Sequence, residues 1–304
     1  KFSKYYRHEK APGYGTLCMC LKEDNPKEFR DICACKVDVD SEYETMKGCF
    51  EKTTHKIMHP VCYVTEQEGE QVIVKERDLT STYRHMRYDK SKGFIKRWLD
   101  DPEIKRYGRL DFVPPPQKAG QGTYNIWTGF KAEQIEEAAN MDMSVILNHI
   151  LILCNHDTQT SDYLIKWLAH IIQKPGELSM TAIVLKSDKG VGKNIFTYFL
   201  REILGESYYA EVTSEEQLFG RFANARKNRL LINVEEINVS FSHKDRLKNM
   251  ITSKIYNHET KGIDPIPMQN YNRFMFTTNN EIPVPIEVGD RRMVVISADN
   301  TKKN

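Results

Sequence analysis

The chain has 304 residues, enough for one large domain or two ordinary ones with a sizeable core. Its 40% hydrophobic and 28% charged residues are ordinary for a soluble globular chain. Forty-four Lys and Arg against 42 Asp and Glu leave a formal charge of +2, too balanced for a nucleic-acid binder that works by bulk charge, so any polynucleotide has to be held by local basic patches. No apolar run is long enough to span a membrane; the longest stretch, near 145–154, is broken by Asn148 and His149. Lys1 opens the chain without a signal-peptide pattern, which reads as a fragment or a trimmed chain. Seven cysteines are an odd number in a chain this long and point to a reducing compartment rather than a disulfide scaffold.

Residues 1–110 are rich in Lys, Glu, Asp and Tyr, have weak periodicity and carry six of the seven cysteines. Two Cys-x-Cys pairs, Cys18–Cys20 and Cys33–Cys35, lie near Cys49, Cys62, His55 and His59. Four thiolates suffice for a tetrahedral zinc site, but zinc ribbons more often use Cys-x-x-Cys. In a strand the same spacing puts both thiols on one face, so buried thiols are the preferred reading and zinc the lesser one. Residues 71–74 read as a strand, and 94–99 (FIKRWL) as a helix with Trp98 on its apolar side. Pro114-Pro115-Pro116 and Gly120-Gln121-Gly122 form a breaker cluster, and a linker is expected near 113–132.

Beyond it the helical period sharpens. Leu164, Trp167, Leu168, Ile171 and Ile172 fall on one helix face, ended by Pro175-Gly176. Residues 181–186 (TAIVLK) form a short apolar run, expected as a buried strand. A loop over 187–194 leads into a helix whose apolar face is Ile195, Phe196, Phe199, Leu200 and Ile203, with Gly205 as its stop. Residues 229–234 (RLLINV), 273–278 (RFMFTT) and 293–297 (MVVIS) read as three further strands. Strands alternating with helices predict an α/β fold whose mostly parallel sheet is covered on both faces. The expected division is an N-terminal domain over 1–113, a linker and helical collar over 114–160, and a main domain over 161–304.

The loop SDKGVGKN carries the first chemical signal. Gly190 and Gly192 allow backbone N–H groups around Val191 to turn inward about phosphate oxygens. The helix that starts at Lys193 adds the positive end of its dipole, and the Lys193 ammonium reaches the β- and γ-phosphates. Against the general phosphate-loop pattern, Ser187 stands where a Gly is usual and Asn194 where a Ser or Thr is usual; Asn194 still offers an oxygen toward Mg²⁺. The strand 230–234 ends in Glu235 and Glu236, at the edge where ligands sit in parallel sheets. Adjacent strand residues diverge, so Glu235 is assigned to Mg²⁺ and Glu236 to the attacking water. The next strand ends in Thr277-Thr278-Asn279-Asn280, and Asn279 is placed to bond a γ-phosphate or that water. Arg291 and Arg292 precede the last strand, where one of them can reach into a neighbouring subunit's site and stabilise transition-state charge. Taken singly, each signal also has a plain reading: a surface turn, a solvated strand end, a turn cap, an Asp–Arg surface pair.

Their order binds them together. GVGK at 190–193, LLINVEE at 230–236, FMFTTN at 274–279 and DRR at 290–292 resemble a superfamily 3 helicase core, a compact AAA+-type P-loop ATPase. Within it the chain is most similar to the primase–helicase branch of poxviruses, giant viruses, virophages and phages. The segments 94–107 (FIKRWLDDPEIKRY), 111–115 (DFVPP), 124–130 (YNIWTGF) and 163–175 (YLIKWLAHIIQKP) carry that similarity, which covers roughly 50–298. The resemblance implies an AAA+-type core preceded by a smaller mixed α+β or helical domain. It implies ATP bound with Mg²⁺ between the subunits of a homo-hexamer, and 3′-to-5′ movement on single-stranded DNA. Lys193 becomes the phosphate lysine, Glu235-Glu236 the acidic pair, Asn279 the polar residue of the third motif, and Arg292, in preference to Arg291, the arginine finger. An upstream primase domain, other replication proteins as partners, and an intracellular site of viral or phage replication follow as expectations. The stretch 248–271 resembles the part that carries a DNA-contacting hairpin. Lys261 beside Gly262 fits the hairpin tip, with Lys254 and His258 as alternates. Two rival readings stay open: an AAA+-type ATPase that remodels protein, and a DNA-binding scaffold with an inactive nucleotide site, favoured by Ser187 and Asn194.

Overall fold

A computed structural model of the chain describes residues 39–67, 70–89, 92–135, 142–221, 224–260, 263–281, 283–287 and 289–299. Cys18, Cys20, Cys33, Cys35 and Lys261 lie outside the described residues, and with them the zinc and hairpin-tip expectations. The chain divides into two compact units, Lys1–Leu110 with Gly122–Tyr124, and Asp111–Gln121 with Asn125–Asn304.

In the first unit β1 (Thr54–His59), β2 (Val61–Gln67), β3 (Glu70–Val74), β4 (Arg106–Asp111) and β5 (Thr123–Asn125) form a mixed sheet in the order β3-β2-β1-β4-β5. β1 runs antiparallel to β2, β2 antiparallel to β3, and β1 parallel to β4. Three helices belong to this unit: α1 (Val39–Phe50), α2 (Glu76–Tyr83) and α3 (Phe94–Asp100). Their apolar sides meet Tyr63 of β2 in a core built from Tyr43, Phe50, Leu79, Phe94 and Trp98. Phe50 packs edge-on against Phe94 and Trp98, with ring centroids 5.1 Å apart in each case. The indole N–H of Trp98 donates to Glu51 at 3.0 Å, so this large side chain is buried with its polar atom satisfied.

The second unit is built on a fully parallel sheet of β6 (Ala182–Lys186), β7 (Tyr209–Val212), β8 (Leu231–Glu235), β11 (Arg273–Thr278) and β12 (Met293–Ser297), in the order β12-β6-β11-β8-β7. Strand alternation explains its two cores. Ile183 and Leu185, with Leu231, Met275 and Ile296, face α4 (Ser144–Leu153), α5 (Thr158–Gln173) and α6 (Lys193–Leu204). Val184, Ile232, Val234, Phe274 and Phe276 face the opposite side, which holds α7 (Glu215–Phe219) and α8 (Lys244–Thr252). Between α8 and β11 an antiparallel hairpin, β9 (Ile255–Thr260) and β10 (Ile263–Gln269), forms a sheet of its own. Among the described residues no helix is long and apolar enough to cross a membrane.

Two expectations shift. Ile195 is 68% exposed, whereas Phe196, Leu200 and Leu204 are buried; the buried stripe of α6 runs i, i+4, i+8 from Phe196, and Ile195 stands about 100° to one side of it. The stretch read as a linker packs instead. Pro114 is buried, Phe112 and Phe130 enter the core beside Tyr208, and the Pro115 carbonyl accepts a 2.7 Å bond from the Gly176 N–H. Prolines stiffen a segment as readily as they break a helix, and here the stiff segment lies against the unit.

Candidate functional site

Parallel pairing brings three strand ends to one edge of the second unit. Lys186 pairs with Thr278, and Glu235 with Thr277. The ladder runs one residue further on each side, with the Ser187 N–H donating to Thr278 at 3.1 Å and the Glu236 N–H to Thr277 at 2.9 Å. Ser187, Glu236 and Asn279 therefore emerge side by side.

The loop after β6 turns through Gly190 at φ +86° and Gly192 at φ +98°, a region open to glycine and costly for other residues. Close approach adds a second reason for glycine, since a Cβ on Gly192 would lie 2.5 Å from the His149 ring of α4. His149 Nε2 also sits 3.1 Å from the Gly192 carbonyl oxygen. Val191 is buried, while Gly190 and Asn194 are exposed.

Lys193, first residue of α6, is only 6% exposed. Its ammonium meets the Ser187 carbonyl at 3.1 Å, Ser187 Oγ at 2.7 Å, the Asp188 carbonyl at 3.3 Å and Asn279 Oδ1 at 2.6 Å. Three N–H groups thus share four acceptors. Burial pushes the Lys193 pKa down, and the charges of Glu236, Asp188 and Glu235 oppose that shift without cancelling it.

The two glutamates diverge, as adjacent strand residues must. Glu236 lies at φ +53°, and its carboxylate grips Asn279 twice, accepting from the side-chain Nδ2 at 2.6 Å and the backbone N–H at 3.2 Å. Lys193, Asn279 and Glu236 therefore form one continuous chain of contacts. Glu235 turns toward α6, where it accepts from the Asn194 amide at 3.0 Å. Burial raises the Glu235 pKa, and the nearby carboxylates of Glu211 and Glu236 add to that effect. Behind this edge Thr277 donates to Asn233 at 3.1 Å, a polar pair inside the sheet. Among the described residues no group of three or more His, Cys, Asp or Glu side chains is placed to hold a metal ion.

Arg291 and Arg292 stand elsewhere. Arg292 precedes β12 and its carbonyl accepts from Ala182, the first residue of β6, at 2.7 Å. The phosphate-loop-like turn begins past the far end of β6, so one strand length, about 16 Å, separates them within a chain. The hairpin residues also divide. Lys254 is exposed. His258 is 5% exposed, and burial, with Lys227 and Arg226 nearby, lowers its pKa; a buried neutral imidazole on β9 does not present itself to a polynucleotide, which removes His258 from the candidate contacts. Cys49, Cys62 and Cys154 are free thiols, exposed, half-buried and buried in turn.

Sequence reading missed three participants. Ser187, read as a departure from a pattern, supplies two of the four acceptors around Lys193. His149 gave no signal because it interrupts an apolar helix. Asp290, read as one half of a surface pair, has a side chain only 2% exposed.

Known proteins share part of this sequence and the fold. Residues 185–292 match a family model described as a family of unknown function, DUF5906. Over 164 residues the chain is 28% identical to the DNA primase-polymerase of Nitratiruptor phage NrS-1; the match takes in 52% of this chain and 23% of that protein. An apo structure of the NrS-1 C-terminal region shares the fold at a TM-score of 0.69 and 20% identity, covering 87% of this chain and 63% of that one. An A-form apo structure of the same region gives a TM-score of 0.67 at 20% identity, covering 85% and 61%. The chain is thus a mixed α/β protein homologous to part of a phage DNA primase-polymerase, and it spans about a quarter of that protein's length.

Proposed function

We propose that this chain is the ATP-driven helicase part of a viral or phage replication protein, a ring of like subunits that moves on single-stranded DNA and separates the duplex. The carrying observation is the chain of contacts from Lys193 through Asn279 to Glu236 at the ends of three adjacent parallel strands. A triphosphate seated over Gly190–Gly192 would meet inward N–H groups, the start of α6 and the Lys193 ammonium. Glu236, oriented by its two bonds from Asn279, is the group that would accept a proton from water beside the terminal phosphate. Glu235 and Asn194 would hold Mg²⁺, whose oxygen ligands and retained waters suit this pair; the metal supplies neutralisation of phosphate charge. The carboxylates crowded around Glu235 favour a cation there. Arg292, remote from Lys193 in its own chain, serves a neighbour's site. Lys254, exposed just before β9, would contact the DNA, as Lys261 would by its place in the sequence. Priming and polymerisation, named for the NrS-1 relative, are not assigned to these residues.

The test is ATP turnover with and without single-stranded DNA, together with unwinding of a forked duplex. The parent chain is expected to hydrolyse ATP, faster with DNA, and Lys193→Ala to lose nucleotide binding and both activities. Turnover indifferent to DNA would favour a protein remodeller, and a parent chain without turnover an inactive scaffold.

A further inference from the structure

The segment that carries the arginines is fastened to the helix that leads into the hairpin. Asp290 is almost fully enclosed, and its Oδ1 accepts from the Arg292 N–H at 2.9 Å and lies 3.6 Å from the Arg292 guanidinium. Its Oδ2 has no hydrogen-bond partner among the described residues, and the nearest cation is Lys248 Nζ at 3.5 Å. Lys248 also bonds Glu287 at 2.5 Å, and Lys244, one turn earlier on α8, bonds the other Glu287 oxygen at 2.6 Å. The Asp290 N–H donates to the Glu287 carbonyl at 3.0 Å, which closes the segment into a turn. At the other end of α8, Asn270 clamps the hairpin: its amide donates to the Met250 and Ser253 carbonyls at 2.9 and 2.7 Å, and its N–H donates to Lys254 at 2.7 Å. Thr252, the last residue of α8, lines the same recess of about 400 Å³ as Arg291, Arg292, Met180 and Thr181.

We propose that Asp290 is a positioning residue for Arg292, and that Lys248 and Glu287 tie it through α8 to the β9–β10 hairpin, so that a strand held by the hairpin sets the reach of the arginine. This rests on the reading of Arg292 as acting on a neighbouring copy's phosphates. The physical basis is rigidity. α8 is nine residues of helix, Lys248 sits one turn from its hairpin end, and each of its two ion contacts goes to the arginine segment. A load on the hairpin moves the ammonium, and the ammonium moves Asp290. The network is enclosed at Asp290 and Lys248 and half exposed at Glu287, and an ion network of this kind can hold two elements in register even where it adds little net stability.

The experiment measures kcat and KM for ATP with and without saturating single-stranded DNA, for the full chain. Lys248→Met is expected to reduce the stimulation by DNA about fivefold or more, with KM for ATP and oligonucleotide affinity held within about twofold. Lys248→Arg should recover most of the stimulation. Asp290→Asn keeps an oxygen for the Arg292 N–H but loses the charge; it should lower kcat roughly 10–100-fold with little change in KM. Mixing Asp290→Asn with Lys193→Ala subunits should restore turnover, because the second variant supplies an intact arginine; a folding defect would not be rescued. Normal DNA stimulation in Lys248→Met, or an Asp290→Asn defect that mixing leaves in place, overturns the inference. If Arg292→Ala itself turns over normally, the arginine reading fails first and takes the inference with it.

Discussion

On the proposed function, Glu236 is the residue on which turnover would depend most narrowly. Its carboxylate is oriented by two bonds from Asn279, and Gln at this position keeps the size and one acceptor while removing the basic oxygen. Glu236→Gln should bind nucleotide about as well as the parent and lose roughly 100-fold or more in kcat. Equilibrium binding of a fluorescent ATP analogue beside steady-state hydrolysis separates the two effects; unchanged hydrolysis would remove the assignment. Glycines, lysine and glutamates of the site were readable because their types are demanded by backbone geometry and charge. The grip of Asn279 on both Lys193 and Glu236 was not, because it depends on β11 lying between β6 and β8, and strand order is set by packing across the sheet rather than by local pattern.

At the level of elements, buried strands were legible where both faces are covered, since each holds an apolar run: 182–185, 230–232 and 274–276. Helix faces were legible to within a residue or so, and Ile195 on α6 and Ile172 on α5, both exposed, mark the error. The N-terminal unit was the least readable, because its core is made of scattered aromatic residues without a strong period. One of its polar anchors gives a clear pH signature. Burial raises the pKa of Asp101, but hydrogen bonds from Lys47 at 2.8 Å and Tyr43 at 2.6 Å, with the Glu103 N–H, outweigh it and bring the carboxyl to about 2. A carboxyl depressed in the fold adds stability above its unfolded value, and this is lost as pH falls through about 2. Asp101→Asn should therefore cost about 1–2 kcal/mol at neutral pH. The difference from the parent should shrink as denaturation is repeated from pH 5 toward pH 2. A deficit that stays constant over that range would show that packing, not charge, is what the substitution removes.

For the whole molecule the separation of Arg292 from Lys193 has the widest reach. On the proposed reading Arg292 and Lys193 serve one reaction, and their placement at opposite ends of β6 would then require a second copy to complete the set. Arg292→Ala should assemble with ATP and single-stranded DNA as the parent does, yet hydrolyse poorly, by roughly 10³-fold on the scale of arginine fingers. Subunits of Arg292→Ala and Lys193→Ala, each inactive, should regain turnover when mixed. Particle mass and symmetry, read with an ATP analogue and DNA present, check the assembly; normal hydrolysis by Arg292→Ala alone would deny the division of labour.

Lys193 shares its three N–H groups among four protein oxygens. On the proposed reading an incoming anion would compete with these oxygens, two of which sit on side chains, Ser187 Oγ and Asn279 Oδ1, the latter held on its other side by Glu236. Filling the cradle would then reach Glu236 through the amide of Asn279 that it shares with Lys193, at the expense of some affinity for the guest.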